Sequence, residues 1–169
     1  DQFHHKSKLE TYGIKLFMIL MKNLGEIAPT YIILGNHDFQ QDKVENGIDF
    51  LEAFDAHLPP NVCFLQETGL YQAGNVGFGL VSVKDTLKLG SGSGMADSLP
   101  DFPDPSNFPD EVEYKAALFH GTMKKSKFSE HRKADDGYSW NWLDCGYDIA
   151  LLGDIHKQQY INKEKTMAY

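Results

Sequence analysis

Cysteine is scarce in this 169-residue sequence: there are two, Cys63 and Cys145, far apart. They form no CxxC pair and no disulfide framework, and a reducing compartment, the cytoplasm, fits them best. No apolar run reaches the length of a membrane span, so no membrane partner is expected. The opening residues carry no signal-peptide pattern. Basic residues are also in deficit, with 16 Lys and Arg against 24 Asp and Glu and a formal charge of −8. That balance excludes a general basic surface for holding nucleic acid. If the protein acts on phosphates, positive charge must come from elsewhere, and a bound metal is the obvious source.

What remains is a globular composition, 41% hydrophobic and 24% charged, of a length that suggests one domain over residues 1–169. The start, Asp1-Gln2-Phe3-His4-His5, and the end, through Met167-Ala168-Tyr169, read as cut points in a longer chain. Leu9, Tyr12, Leu16, Leu20, Leu24 and Ile27 recur at steps of three and four, one face of an amphipathic helix that Pro29 ends. Thr30–Leu34 reads as a buried strand. Ile48 to His57 reads as a second helix with Phe50, Leu51 and Phe54 facing inward. Val62–Leu65, Leu70–Ala73 and Val76–Val83 read as strands, the last two joined by a hairpin at Gly74-Asn75. From Lys84 to Glu113 the pattern collapses into what reads as a long solvated loop. Lys115–Phe119 and Asp148–Leu152 are further buried strands. The tail reads as two short strands around Asn162-Lys163.

Metal-capable residues follow three of these strands directly: Asn36-His37-Asp38, then His120, then Asp154 and His156. In open α/β sheets the ligand crevice lies at the carboxyl ends of the strands. Three such ends delivering Asn, His or Asp point to one converging site. Each piece alone has a plainer reading: a hydrogen-bonded histidine, an Asx-turn, a helix cap. An oxygen and nitrogen donor set without thiolate suits Mn, Fe or Zn. Two such ions about 3.5–4 Å apart would clamp a phosphate ester and activate a water.

These motifs resemble those of the calcineurin-like metallophosphoesterases. Leu34-Gly35-Asn36-His37-Asp38 resembles the family's Gly-Asn-His-Asp/Glu signature, Phe119-His120-Gly121 its isolated His motif, and Gly153-Asp154-Ile155-His156 its Gly-His-x-His motif. Asp1-Gln2-Phe3-His4 resembles the end of its Gly-Asp motif. The wording is most similar to the SbcD-type double-strand-break repair nucleases. The resemblance implies a four-layer α/β/β/α sandwich, incomplete at both ends, and two divalent metals, Mn2+ first, with Fe, Zn or Mg as alternatives. It implies that Asp1 bridges the metals, that Asn36, His120 and Asp154 bind the second metal, and that His156 binds the first. It implies that His37, not itself a ligand, contacts the scissile phosphate and protonates the leaving oxygen with Asp38 orienting or polarising it, and that His4 lies beside the substrate phosphate. DNA, an SbcC-type ATPase subunit and a homodimer of the full-length protein follow as partners. The sequence departs from the family in two places. The Asp-x-His strand is absent, and Asp154 stands where most members have His. The leading expectation is a metal-dependent DNA nuclease acting in repair or recombination, as exonuclease or endonuclease. The alternatives are another phosphatase or phosphodiesterase of the superfamily, or a non-catalytic scaffold.

Overall fold

The computed structural model describes residues 11–38, 52–88, 100–129, 131–135, 137–139, 145–162 and 167–168. The chain divides into two compact units, Asp1–Gln66 and Glu67–Tyr169.

In the first unit, helix α1 spans Thr11–Ile27. Seven of its 17 residues are Leu, Met or Lys, which lose little freedom in a helix. Its last backbone bond runs from Ala28 N–H to Leu24 O at 3.0 Å, and Pro29 disfavours helical geometry at the residue before it. The buried row is Phe17, Met21 and Gly25, not the stripe expected from the periodicity. Tyr12 and Ile27 are 70% and 81% exposed, and Leu16 and Leu20 are exposed as well. Apolar residues surround this helix, so spacing alone supports more than one inward row. Close approach decides between them: a Cβ on Gly25 would lie 2.9 Å from Val62 Cγ2, and Asn61 Nδ2 donates to Gly25 O at 3.2 Å. Strand β1 (Thr30–Ile33) pairs in parallel with β2 (Val62–Leu65), Thr30 opposite Val62 and Ile33 opposite Leu65. Between them lies α2 (Glu52–Asp55). Residues 48–51 of the expected second helix lie outside the described residues. Phe54 does turn inward, its ring 5.8 Å from that of Phe17.

The second unit is built on a six-stranded sheet of order β3-β4-β5-β6-β8-β7. The strands are β3 (Gly69–Ala73), β4 (Val76–Val81), β5 (Tyr114–His120), β6 (Ile149–Gly153), β7 (Tyr160–Asn162) and β8 (Met167–Ala168). β4, β5, β6 and β8 run parallel, and antiparallel β3 and β7 close the edges. Gly74 takes φ +61 at the expected β3–β4 hairpin, a left-handed turn position that glycine fills without strain. Residues Ala116 to His120 of β5 are buried without alternation, as befits a central parallel strand covered on both faces. The core joins Val81, Phe102, Ala117, Phe119, Met123, Ala150 and Leu152, with Tyr138 and Tyr147 packed against it.

Two sequence expectations change here. β4 stops at Val81, and Val83–Lys88 forms a helix, α3. Ser82 initiates it: its carbonyl accepts from Asp85 N–H at 3.1 Å and its hydroxyl from Lys84 N–H at 3.3 Å. A serine opening a helix is ordinary capping chemistry, but the apolar run into Val83 hides it. The stretch 100–113 is also no solvated excursion, because Phe102, Phe108 and Val112 are buried. Asp104 caps a 3-10 turn over Pro105–Asn107. Phe108 then lies where a Cβ on Gly77 would come within 2.7 Å of its ring. Sparse aromatics spaced by proline and acid carry no period, yet they cover the sheet. Among the described residues the chain is thus mixed α/β with two sheets. Among the described residues no helix is long and apolar enough to cross a membrane.

Candidate functional site

His120 is the last residue of β5, and its register partner Gly153 is the last of β6. Neighbouring parallel strands therefore deliver His120 and Asp154 to the carboxyl end of the sheet, side by side. His120 is buried. Gly121 N–H donates to Gly153 O at 3.4 Å, tying the two strand ends together. Asp154 has φ +91, a backbone conformation that costs a non-glycine residue and turns the chain sharply off the strand. Its Oδ2 accepts a hydrogen bond from Thr122 Oγ1, so the carboxylate is oriented from the β5 side. His156 lies two residues further on, exposed. Phe128, Asp154, His156 and Lys157 line a pocket of about 540 Å3.

The polar cluster continues along this end of the sheet. Burial raises the pKa of the Tyr138 phenol. The Asp154 carboxylate pushes it the same way, and a hydrogen bond with Thr86 opposes both. Ser82 N–H donates to Thr68 Oγ1 at 2.9 Å, and the Thr68 hydroxyl donates to Asp85 Oδ2 at 2.5 Å. The Tyr138 ring stands edge-on to Phe119, centroids 4.9 Å apart.

In the first unit, Asn36, His37 and Asp38 follow β1 directly, at its carboxyl end. Asp38 is fully buried. Its Oδ2 accepts from Gly35 N–H at 2.8 Å, while Asp38 N–H donates to Gly35 O at 3.1 Å. The carboxylate thus closes its own turn. Asn36 and His37 are half-buried on it. Asp1 and His4 lie outside the described residues.

All three strand-end motifs follow strands as the sequence suggested. The second unit brings His120 and Asp154 to adjacent positions, with His156 on the same connection. Among the described residues, no group of three or more His, Cys, Asp or Glu side chains is arranged to hold a metal ion. Sequence reasoning missed Thr122, Tyr138 and Thr86, whose roles depend on cross-strand register and loop return. It also passed over Lys124-Lys125-Ser126-Lys127 and Arg132-Lys133, a charge pattern legible in the residues themselves.

No family model matches the chain. The chain is 31% identical, over a 177-residue alignment, to uncharacterized protein R555 of Acanthamoeba polyphaga mimivirus. That alignment takes in all of this chain and 12% of the viral protein's length.

Proposed function

We propose that the protein carrying this chain is a metal-dependent phosphodiesterase acting on DNA, of the SbcD type within the calcineurin-like metallophosphoesterases. The observation that carries the reading is the delivery of His120 and Asp154 to the carboxyl end of the sheet by adjacent parallel strands. The motif order Gly-Asn-His-Asp, His-Gly and Gly-Asp-x-His supports it. So does the mixed α/β architecture, which is the coarse form of the four-layer sandwich that this class would have.

The donor types are those of a divalent-metal site, although the described side chains are not gathered around one. His120, Asp154 and His156 offer imidazole nitrogen and carboxylate oxygen and no thiolate, a set suited to Mn, Fe, Zn or Mg. The family resemblance alone adds Asn36 and Asp1 to the proposed donor set. When bound, such a pair of ions supplies Lewis acidity and a nucleophilic water. The chain's own residues do the rest. Thr122 fixes the Asp154 carboxylate through its hydroxyl. Gly153 leaves room for the His120 ring. His37 donates a proton to the departing oxygen, the general-acid role that histidine fills most often. Asp38, locked in its turn by Gly35, holds the backbone that presents His37. The family resemblance alone assigns His4 to the substrate phosphate. An SbcC-type ATPase subunit, a homodimer and a cytoplasmic setting belong to the same proposal.

The test is cleavage of plasmid and linear DNA by the full-length protein with manganese. Activity abolished by His37→Ala supports the reading. Turnover of nitrophenyl phosphate with DNA left intact sinks it and favours a small-substrate phosphoesterase, the reading that the overall charge of −8 supports.

A further inference from the structure

The net charge of −8 conceals a local reversal. Residues 124–133 carry five Lys and Arg (Lys124, Lys125, Lys127, Arg132, Lys133) and one acid, Glu130. All five basic side chains are exposed. They sit on a hairpin-like excursion that leaves the carboxyl end of β5 and returns towards Tyr138.

The backbone of the excursion is anchored, so the positions that carry the charges are fixed. Met123 and Ser126 are almost fully buried and Ala134 is buried. The Ser126 hydroxyl donates to Met123 O at 2.6 Å. Lys125 N–H donates to Ala134 O at 3.0 Å, Ala134 N–H to Ser126 O at 2.7 Å, and Phe128 N–H to Arg132 O at 2.9 Å. Lys125 takes φ +70, a left-handed position that tightens the turn. Outside the hairpin, the Gln159 side chain clamps Lys127: Lys127 N–H donates to Gln159 Oε1 at 2.7 Å, and Gln159 Nε2 donates to Lys127 O at 3.0 Å. A platform already ordered loses less entropy when it binds.

One aromatic stands among the cations. Phe128 is 43% exposed, and the Arg132 guanidinium lies 5.2 Å from its ring centroid. Phe128 also lines the pocket that Asp154, His156 and Lys157 share. Aromatic and guanidinium planes both stack unpaired bases, and flanking cations track a phosphate backbone.

We propose that the 124–133 hairpin is a docking surface for single-stranded DNA. Lys124, Lys127 and Arg132 contact the backbone and Phe128 stacks a base beside the pocket. The assignment rests on the nuclease reading for its choice of polyanion, but it is tested by binding and not by cleavage.

The experiment is fluorescence anisotropy of a labelled oligothymidylate and a blunt duplex of equal length. It uses the full-length protein without added metal, from 50 to 200 mM salt. Lys124→Gln/Lys127→Gln/Arg132→Gln should flatten the log–log salt slope for the single strand by about 2, at ~0.7 for each phosphate no longer neutralised. Phe128→Leu should weaken single-strand binding about tenfold, in the range for loss of one stacked base, and leave duplex binding unchanged. Unchanged single-strand affinity and salt slope in the triple variant overturns the proposal, as does duplex binding tighter than single-strand binding. A circular-dichroism melt of each variant separates loss of binding from loss of fold. Wild-type protein that binds the strand in this way yet never cleaves DNA removes the nuclease reading and leaves the docking surface standing. Cleavage by wild type with binding indifferent to all four positions does the reverse.

Discussion

A Cβ on Gly153 would come within 2.6 Å of His120 Nδ1. The space that lets this imidazole sit at the end of the sheet thus exists because its cross-strand partner has no side chain. Gly153→Ala should displace the ring while leaving both strands paired. If the proposed nuclease reading holds, a ring about 1 Å out of place should lower DNA cleavage by about 100-fold. A thermal melt close to wild type alongside that loss checks the assignment to positioning; unaltered cleavage contradicts it.

Thr122 acts on Asp154 through its hydroxyl. Thr122→Val keeps the shape and removes the donor. If Asp154 is a ligand, manganese affinity should drop about tenfold, as for other groups that orient ligands. Thr122→Ser should restore it. Isothermal titration of manganese into the three proteins reads this directly.

Asp38 is buried with its carboxylate on Gly35 N–H. Asp38→Ala should therefore cost about 1–3 kcal/mol in urea unfolding, because a buried donor is left without its acceptor. A cost within about 0.5 kcal/mol would mean that the turn is held by other contacts.

The buried tyrosines set an alkaline limit. Burial raises the pKa of Tyr147, whose hydroxyl donates to Pro103 O at 2.6 Å, and of Tyr138. Each is protonated in the folded state at a pH where the unfolded chain has begun to ionise. Their contribution to stability is intact below the unfolded value, about 10, and declines as pH rises through the folded values. Tyr147→Phe should flatten the loss of stability above about pH 10, while costing about 1 kcal/mol at pH 8 for the hydrogen bond. An identical slope in both proteins would contradict the assignment.

Much of the scaffold was legible in the residues. Continuous apolar runs ending in glycine mark β1, β5 and β6, and Gly74-Asn75 marks the hairpin, because buried strands and tight turns depend on local chemistry. Asn36, His120 and Asp154 were found at strand ends for the same reason. What was not legible depends on partners distant in sequence. The inward row of α1 is chosen by Gly25 against Val62. Phe102 and Phe108 become core only because the chain returns over the sheet. Thr122 and Tyr138 enter the site through register and loop closure, which no spacing encodes. The hairpin at 124–133 was hidden by averaging its charge over an acidic chain.

On the proposed reading, His120 and Asp154 serve one metal-dependent hydrolysis of DNA. Its most direct test is manganese-dependent cleavage of linear DNA by the full-length protein, wild type against His120→Ala and Asp154→Ala. The account predicts manganese-dependent cleavage by wild type and a loss of about 100-fold or more in each variant with the fold retained. Cleavage that proceeds equally in wild type and both variants would contradict it.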